Sequence, residues 1–397
     1  MRVSTAFMHQ QAINIILDQQ ARVNKTQQQI STGKNVLKPS DNPAASADIM
    51  SLEEAFARSV QYQDNAERAR ARLGVEETAL ADIANTLQRL HELSLQANNA
   101  TQNDTSRAAI ANEVRLVLDG LMDLANLQDP NGEYIFSGFK TQTPAYSRSG
   151  GVYTYNGDQG QRFIQIGSTR QVAMSDPGTD VFSRIKSGNG TFSASENPAN
   201  TGTGIIGPGR VVGATSFPET YTVSFLTATT YEVRDSGAGL VASGNYVGGD
   251  SITFAGVEVK ITGGPATGDS FTVTNSVNQD IFTTVEKLAA ALETKTTSTA
   301  DKSHVQNSIT RELANIERAL DNVLDIRSRV GARINAVEDQ NNVSEGIKAS
   351  VQTTLSSIQT LDLSEAVSRL NRQLITLQAA QTSFLRVQQL SLFNSIG

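Results

Sequence analysis

Apolar residues recur every seven positions close to the C-terminus of the chain. Leucine and phenylalanine make up this line: Leu363, Leu370, Leu377 and Phe384. Val367 and Leu374 add the alternating step of four and three residues that marks the apolar seam of a helix. No proline or glycine interrupts residues 363–396, and only four of these residues are charged. Because so uncharged a helix lacks the solvated face of a surface helix, the pattern predicts that it packs against a partner.

The N-terminal residues have the same character. Isoleucine and valine occupy a seam of their own: Ile13, Ile16, Val23 and Ile30. Gln20 and Gln27 fill two further seam positions, and seven glutamines lie between residues 10 and 29. Since both ends of the chain combine an apolar seam with polar, uncharged faces, we expect residues 1–41 and 362–397 to form one terminal helical domain.

Longer helical patterns lie between these two ends. Asn42 can cap a helix whose first position is Pro43. Leucine then recurs at Leu73, Leu80 and Leu87. A second seam runs through Ile309, Leu313, Ile316, Leu320, Val323, Val330, Ile334 and Val337. So long a period of seven predicts packed, supercoiled helices, and we assign residues 42–186 and 281–361 to a helical bundle domain. We expect that domain to carry a β-hairpin, formed by Val152–Tyr155 and Arg162–Ile166.

The composition changes in the middle of the chain. Between residues 129 and 280 lie 24 of the 30 glycines and seven of the eight tyrosines. Alternating runs predict short strands at Thr220–Phe225, Thr230–Arg234, Ser251–Phe254, Val257–Thr262 and Phe271–Thr274. Residues 187–213 are expected to be loose, and residues 187–280 to form an inserted, β-rich outer domain. The predicted fold class is therefore mainly α with a small inserted all-β domain. Its N- and C-terminal halves form a long antiparallel helical bundle or coiled coil.

Neither composition nor motifs indicate an active site. The net charge of −7 argues against a nucleic-acid partner, and no apolar run is long enough to span a membrane. The chain has no cysteine, and its histidines, His9, His91 and His304, are far apart in sequence. Residues 202–207 match GxGxxG, but Pro208 follows where a helix must start, so we interpret them as a flexible linker. We expect no catalytic residue, no cofactor and no metal.

Several stretches resemble known proteins of one superfamily. Residues 30–34 and 39–44 resemble the N-terminal signature of bacterial flagellins and their junction proteins, although Asn42 stands where that superfamily commonly has an aspartate. Residues 134–146 resemble a segment typical of the hook-associated protein 3 family, the hook–filament junction proteins. The ending from Leu390 to Ile396 is similar to the C-terminus of the same family.

This resemblance implies a structural adapter that is not an enzyme. Such a protein is exported by the flagellar type III system and lies outside the cell, in the flagellum, at the hook–filament junction. The implied partners are further copies of itself in a ring, hook-associated protein 1, flagellin and a flagellar export chaperone, with no nucleic acid and no membrane. The expected assembly interface is Ile13, Ile16, Val23, Ile30, Leu363, Leu370, Leu377, Phe384, Leu392 and Phe393.

Two alternatives stay open at this point. The first is a flagellin, the bulk subunit of the filament, which shares the terminal helices. The second is a surface adhesin or sugar-binding module that uses the β insertion, in which Tyr221, Tyr231 and Tyr246 could stack on a ligand. Packing in the core of the insertion is the competing role for those tyrosines.

Overall fold

A computed structural model of the chain describes residues 5–99, 101–213 and 220–396, and the side chains of residues 5, 6 and 389–396 are outside this description. The α-helices are α1 (Thr5–Thr32), α2 (Pro43–Ala97), α3 (Asp104–Ala125), α4 (Ile281–Glu293), α5 (Thr299–Gln359) and α6 (Leu363–Ile396), and a short π-helix spans Thr179–Ser183. The strands between α3 and α4 are β1 (Tyr146–Ser149), β2 (Val152–Tyr155), β3 (Phe163–Gln165), β4 (Gln171–Ala173), β5 (Ile185–Lys186), β6 (Phe192–Glu196), β7 (Ile205–Ile206), β8 (Arg210–Val211), β9 (Tyr221–Thr227), β10 (Thr230–Arg234), β11 (Leu240–Asn245), β12 (Ser251–Phe254), β13 (Val257–Thr262), β14 (Ser270–Asn275) and β15 (Asn278–Gln279). The predicted fold class, mainly α with an inserted all-β domain, is confirmed.

Local sequence signals set the ends of the helices. Asn42 caps α2 through its Oδ1, which accepts a hydrogen bond from the Ala45 N–H at 3.1 Å. At the start of α5 the Ser298 N–H donates to Asp301 and the Asp301 N–H donates to the Ser298 hydroxyl, which is a capping box. Helix α1 ends before Gly33, whose φ of +68° is a left-handed conformation that glycine adopts without strain.

The chain divides into two compact units. One contains the residues up to 64 and those from 340 onward, and the other contains residues 65–339. In the first unit, the Lys348 ammonium donates to Gln63 Oε1 at 3.0 Å, and the Gln359 amide donates to Glu53 Oε1 at 3.2 Å. These bonds link the parts of α2 and α5 that belong to that unit.

The second unit contains a helical core built from α2, α3, α4 and α5. The predicted leucine line Leu73, Leu80 and Leu87 is fully buried in it. From α5 the core receives Ile309, Ile316, Val323, Val330 and Val337, whereas Leu320 and Ile334 are only partly buried. The second seven-residue line predicted in α5 contains Leu313, Leu320 and Ile334. Ala319 and Ile326, each one residue before a position of that line, are buried instead. One of the two seven-residue lines is therefore predicted correctly, and the other is shifted by one residue, because α5 packs into a core shared by several helices and not against a single partner.

The predicted β-hairpin is wrong in its pairing. Strand β2 pairs antiparallel with β1, and β3 pairs with β4. Gly150 and Gly151 join β1 to β2 with φ values of +58° and +78°, which suits the tight two-residue turn of a hairpin. Asn156, Gly157 and Asp158, which lie between the two predicted strands, form part of a loop outside the strands and not a hairpin turn.

The insertion folds around its own core. One antiparallel sheet has the strand order β11-β10-β9-β14-β6, and β13 pairs with β12, β7 and β8. The predicted strands at Thr230–Arg234, Ser251–Phe254 and Val257–Thr262 are confirmed with their bounds. Inward-facing side chains of these sheets meet in a core, whose described buried residues include Val223, Phe271 and Val273.

Residues 187–213 are not the loose segment that was predicted. They contain β6, β7 and β8, and Phe192 and Ile206 lie in the buried core. Gly202 and Gly204 are packed closely: a Cβ at Gly202 would lie 2.3 Å from the Ala266 nitrogen, and one at Gly204 2.8 Å from the Phe271 ring. The interpretation of residues 202–207 as a flexible linker is therefore wrong. These glycines serve close packing of the backbone.

Candidate functional site

The two terminal helices, α1 and α6, pack antiparallel in the first unit. A short bridge fixes their register where α1 ends and α6 begins. The Asn35 N–H donates to the Gln359 carbonyl at 2.8 Å, and the Leu361 N–H donates to the Gly33 carbonyl at 2.9 Å. Asp362 then caps α6, because its Oδ1 accepts from the Ser364 and Glu365 N–H groups.

The seam between the two helices alternates in steps of four and three residues. The α1 positions that face α6 are buried or half-buried: Ala12, Ile16, Gln19, Val23, Thr26 and Ile30. The corresponding positions of α6 are Ala366, Leu370, Gln373, Leu377, Ala380 and Phe384. Val23 and Ala366 are almost fully buried, with exposed fractions of 4% and 0%. The predicted pairing of the two ends of the chain is thus present, and it mixes aliphatic residues with alanine and amide side chains.

Several residues that were predicted to lie in the seam lie outside the contact between α1 and α6. Val367 and Leu374 were placed in the seam, but they are 44% and 41% exposed. Ile13 and Leu363, both expected in the interface, are 40% and 55% exposed. Small and amide residues one position away occupy the contact, because alanine lets the two backbones approach closely and glutamine supplies hydrogen bonds. The larger aliphatic side chains are left beside the seam, on the surface.

Hydrogen bonds between uncharged side chains cross the seam. The Thr26 hydroxyl donates to Gln373 Oε1 at 2.9 Å, and the Gln19 amide donates to the Gln373 carbonyl at 3.2 Å. No ion pair joins the described side chains of α1 to those of α6; Lys25 instead pairs with Asp41 at 2.8 Å. This Lys25 contact lowers the pKa of the Asp41 carboxyl. Packing and neutral hydrogen bonds therefore join the two helices.

The N-terminal end of α1 forms an open groove with α6. The His9 and Phe384 rings meet edge to face, with centroids 5.8 Å apart. The groove has a volume of about 240 Å³, and its walls include Met8, Ile15, Ile16, Phe384 and Val387. Met8, Ile15 and Val387 are 48%, 56% and 54% exposed. This end of the helix pair presents an apolar surface that neither helix covers.

The structure places the expected interface residues in three classes. Ile16, Val23, Ile30, Leu370, Leu377 and Phe384 lie in the α1–α6 seam. Ile13 and Leu363 lie outside it and are exposed. Leu392 and Phe393 lie beyond the described side chains. Gln19, Thr26 and Gln373 were not among the predicted seam residues, although each lies seven residues from another seam residue.

Two of the histidines make contacts that belong to the fold. His91 faces Glu317 at 3.2 Å, and His304 lies between Glu196 Oε2 at 2.9 Å and the Asn200 carbonyl at 3.0 Å. Among the described side chains, no three histidine, aspartate or glutamate residues come together in a way that could hold a metal ion. No helix within residues 5–99, 101–213 and 220–396 combines the length and hydrophobicity needed to cross a bilayer.

Comparison with known proteins points to one family. Residues 3–141 match the bacterial flagellin N-terminal helical region, and residues 313–395 match the bacterial flagellin C-terminal helical region. The flagellar hook-associated protein 3 of Escherichia coli K12 is 25% identical to the chain over 394 residues, which is 99% of each.

Two solved structures are similar to this chain over more than three quarters of its length. The crystal structure of Xanthomonas campestris FlgL is 34% identical, with a TM-score of 0.73, and the match covers 77% of this chain and 99% of that one. The flagellar junction protein FlgL of Legionella pneumophila is 33% identical, with a TM-score of 0.72, and the match covers 78% and 100%.

Proposed function

The chain belongs to the flagellin superfamily, as a protein of the hook-associated protein 3 type, and from this premise we propose how it assembles. It is a structural adapter of the flagellar junction, and its place is in the flagellum. We propose that copies of the chain form a ring outside the cell, between hook-associated protein 1 and the first flagellin subunits. The type III export route, an export chaperone and the lack of any enzymatic activity belong to the same proposal.

The observation that carries this proposal is the uncovered apolar surface of the terminal helices. Leu363, Val367 and Leu374 form an exposed stripe along α6, beside the seam with α1. On α1, Ile13 is 40% exposed and Leu17 58% exposed. Exposed apolar residues aligned on long helices are expected where another protein covers them. The terminal helices therefore serve as the assembly surface, with the α1–α6 seam holding that surface in register.

A flagellin, the filament subunit, is the less supported alternative, since the relatives described above are hook-associated proteins. The adhesin alternative has little support from the tyrosines of the insertion. Tyr221 and Tyr246 are 8% and 6% exposed, and Tyr231 packs against the same core. The Tyr246 hydroxyl donates to the Ile261 and Gly263 carbonyls. Core packing accounts for these three side chains.

Antibody labelling of intact flagella in the electron microscope tests the location. An antibody against residues 220–275 is expected to mark a single band where the hook meets the filament. Labelling along the whole filament would favour a flagellin.

A deletion variant tests the adhesin alternative. The Ser187 N–H donates to the Val277 carbonyl at 2.9 Å, so residues 188–276 can be replaced by a short turn at a point where the chain ends already meet. Loss of adhesion with intact filaments would favour the adhesin, whereas we expect the ring to assemble without the insertion.

A further inference from the structure

The second unit presents an aromatic side chain at its surface. Phe139 is 61% exposed and follows Ile135 and Phe136, which are buried in the helical core. An exposed phenylalanine on its own needs no explanation. Phe139 differs because the surrounding backbone holds it in one position.

Three contacts fix the Phe139 position. Gly138 has a φ of +69°, and a Cβ there would lie 2.3 Å from Asp158 Oδ1. The same oxygen accepts hydrogen bonds from the Phe139 N–H at 2.9 Å and the Gly160 N–H at 2.8 Å. The Phe139 ring lies on Gly160, where a Cβ would come within 2.1 Å of a ring carbon. Two glycines and one carboxylate thus hold an exposed aromatic ring, so little conformational entropy is left to lose on binding.

A cavity of about 450 Å³ lies on the same unit, and Arg162 in its lining is two residues from Gly160, on which the Phe139 ring lies. Val75, Ile164 and Met174 supply apolar walls, and the guanidinium groups come from Arg68, Arg72 and Arg162. Arg72 is held by Asp129 at 2.6 Å, and Arg162 by Glu133 at 2.7 Å. Arg68 forms no ion pair with any residue in the described part of the chain. Phe139 is not among the residues that line this cavity.

We propose that Phe139 of one copy inserts into this cavity of the neighbouring copy in the ring. Apolar walls with arginine around them suit an aromatic ring, because a guanidinium is attracted to the electron-rich face of the ring. When the Phe139 contact repeats in one direction from copy to copy it is head-to-tail, and such a contact closes into a ring where the rotation between copies allows it. This inference rests on the proposed function and assigns the lateral contact within it.

The lack of native cysteine allows a direct test by disulfide cross-linking. One version of the chain carries Phe139→Cys and a second carries Ala71→Cys, at an exposed position in the cavity lining. Both versions are expressed in one strain, and its purified flagella are treated with a mild oxidant. We expect a disulfide-linked dimer that contains one chain of each version. The matched control replaces Phe139→Cys with Phe163→Cys, since Phe163 is equally exposed, at 59%, and does not line the cavity.

The outcomes separate this inference from the proposed function. A yield of the mixed dimer clearly above that of the Phe163→Cys control supports the insertion. Normal antibody labelling at the junction without a specific dimer overturns the inference and leaves the proposed function intact. Absence of the protein from the junction overturns the proposed function itself. A Phe139→Ser variant that folds as the native monomer but leaves the junction in milder urea gives independent support; unchanged urea resistance contradicts the inference.

Discussion

Helices α2 and α6 both carry leucine every seven residues, yet their leucines have different surroundings. Leu73, Leu80 and Leu87 of α2 are fully buried among other helices. In α6 the corresponding residues face a single partner helix, and Leu363 is 55% exposed. A seven-residue period therefore predicts that a helix packs, but not how many helices pack around it. The bundle core is complete within the chain, whereas the terminal pair leaves apolar side chains uncovered.

The polar contacts between helices also differ between the bundle and the α1–α6 pair. Ion pairs join the helices of the bundle, such as Arg115 with Glu293 at 2.6 Å and Arg327 with Glu77 at 2.8 Å. Within the described side chains, the α1–α6 seam uses amide and hydroxyl groups, as in the bond from Thr26 to Gln373. Identical subunits that pack side by side repel each other when they carry like charges. Sparse charge on the terminal helices is thus suited to assembly.

The largest expected effect separates assembly from folding. Leu377→Asp places a carboxylate in the α1–α6 seam, where burying an unpaired charge is costly. We expect ring assembly and motility to be lost. The second unit should keep its fold, which near-ultraviolet circular dichroism can measure because seven of the eight tyrosines lie between residues 134 and 246.

The matched control for this variant is Ala379→Asp, two residues along the same helix. Ala379 is exposed and lies outside both the seam and the Leu363–Val367–Leu374 stripe. The Ala379→Asp variant should fold as the native protein does. Normal filaments and normal motility in the Leu377→Asp strain would contradict the assigned role of the seam.

The next largest effect falls on the bundle. Leu87→Ala removes a fully buried side chain from the core and should lower the free energy of unfolding by about 2–5 kcal/mol. Leu95→Ala in the same helix is the matched control: Leu95 is 52% exposed, and the expected change is within about 0.5 kcal/mol. Urea unfolding measures both variants, and equal losses would show that the core does not distinguish the two positions.

Local chemistry made the helices predictable from sequence. Pro43 begins α2, Gly33 follows the end of α1, and the Ser298–Asp301 box begins α5, in each case through backbone groups close in the chain. One seven-residue line in each long seam was also predictable. The second line was not, because Ala366, Gln373 and Ala380 give no hydrophobic signal and become buried only through the approach of α1.

The strands show the limit of sequence patterns more clearly. Thr230–Arg234 and Val257–Thr262 alternate in their polarity and were predicted with correct bounds. Strand β6 is short and lies among glycine and asparagine, and its pairing with β14 spans more than 70 residues of chain. Such pairing depends on tertiary contacts, which no local window of sequence contains.

A smaller effect should appear as a pH dependence of the bundle. Glu76 is fully buried, its Oε1 accepts from the Asp176 N–H at 2.7 Å, and burial together with the Asp176 charge raises its pKa to about 8. An unfolded chain loses this proton near the ordinary glutamate pKa of 4.5. The contribution of Glu76 to stability is therefore complete below that value and is lost as the pH rises through about 8.

Glu76→Gln should remove this part of the pH dependence. Between pH values of about 5 and about 8, the native bundle should lose at least about 1 kcal/mol of unfolding free energy more than the variant, since one pKa unit corresponds to about 1.4 kcal/mol. Urea unfolding at the two pH values gives both numbers. An identical pH slope in the two proteins would mean that Glu76 is ionised in the folded state.

The smallest effect tests the neutral hydrogen bonds of the terminal seam. Thr26→Val and Gln373→Leu each remove one partner of the 2.9 Å bond, and each should destabilise the helix pair by about 1 kcal/mol. The double variant replaces both partners with apolar groups and should be close to neutral, so the two single losses of about 1 kcal/mol each give a coupling energy of about 2 kcal/mol. Amide hydrogen exchange of α1 measures the four proteins. Thr382→Val is the control, because among the described residues its hydroxyl donates only to the Gln378 carbonyl, within α6. If the losses of stability of the two single variants add in the double variant, the Thr26–Gln373 bond contributes nothing and packing alone holds the seam.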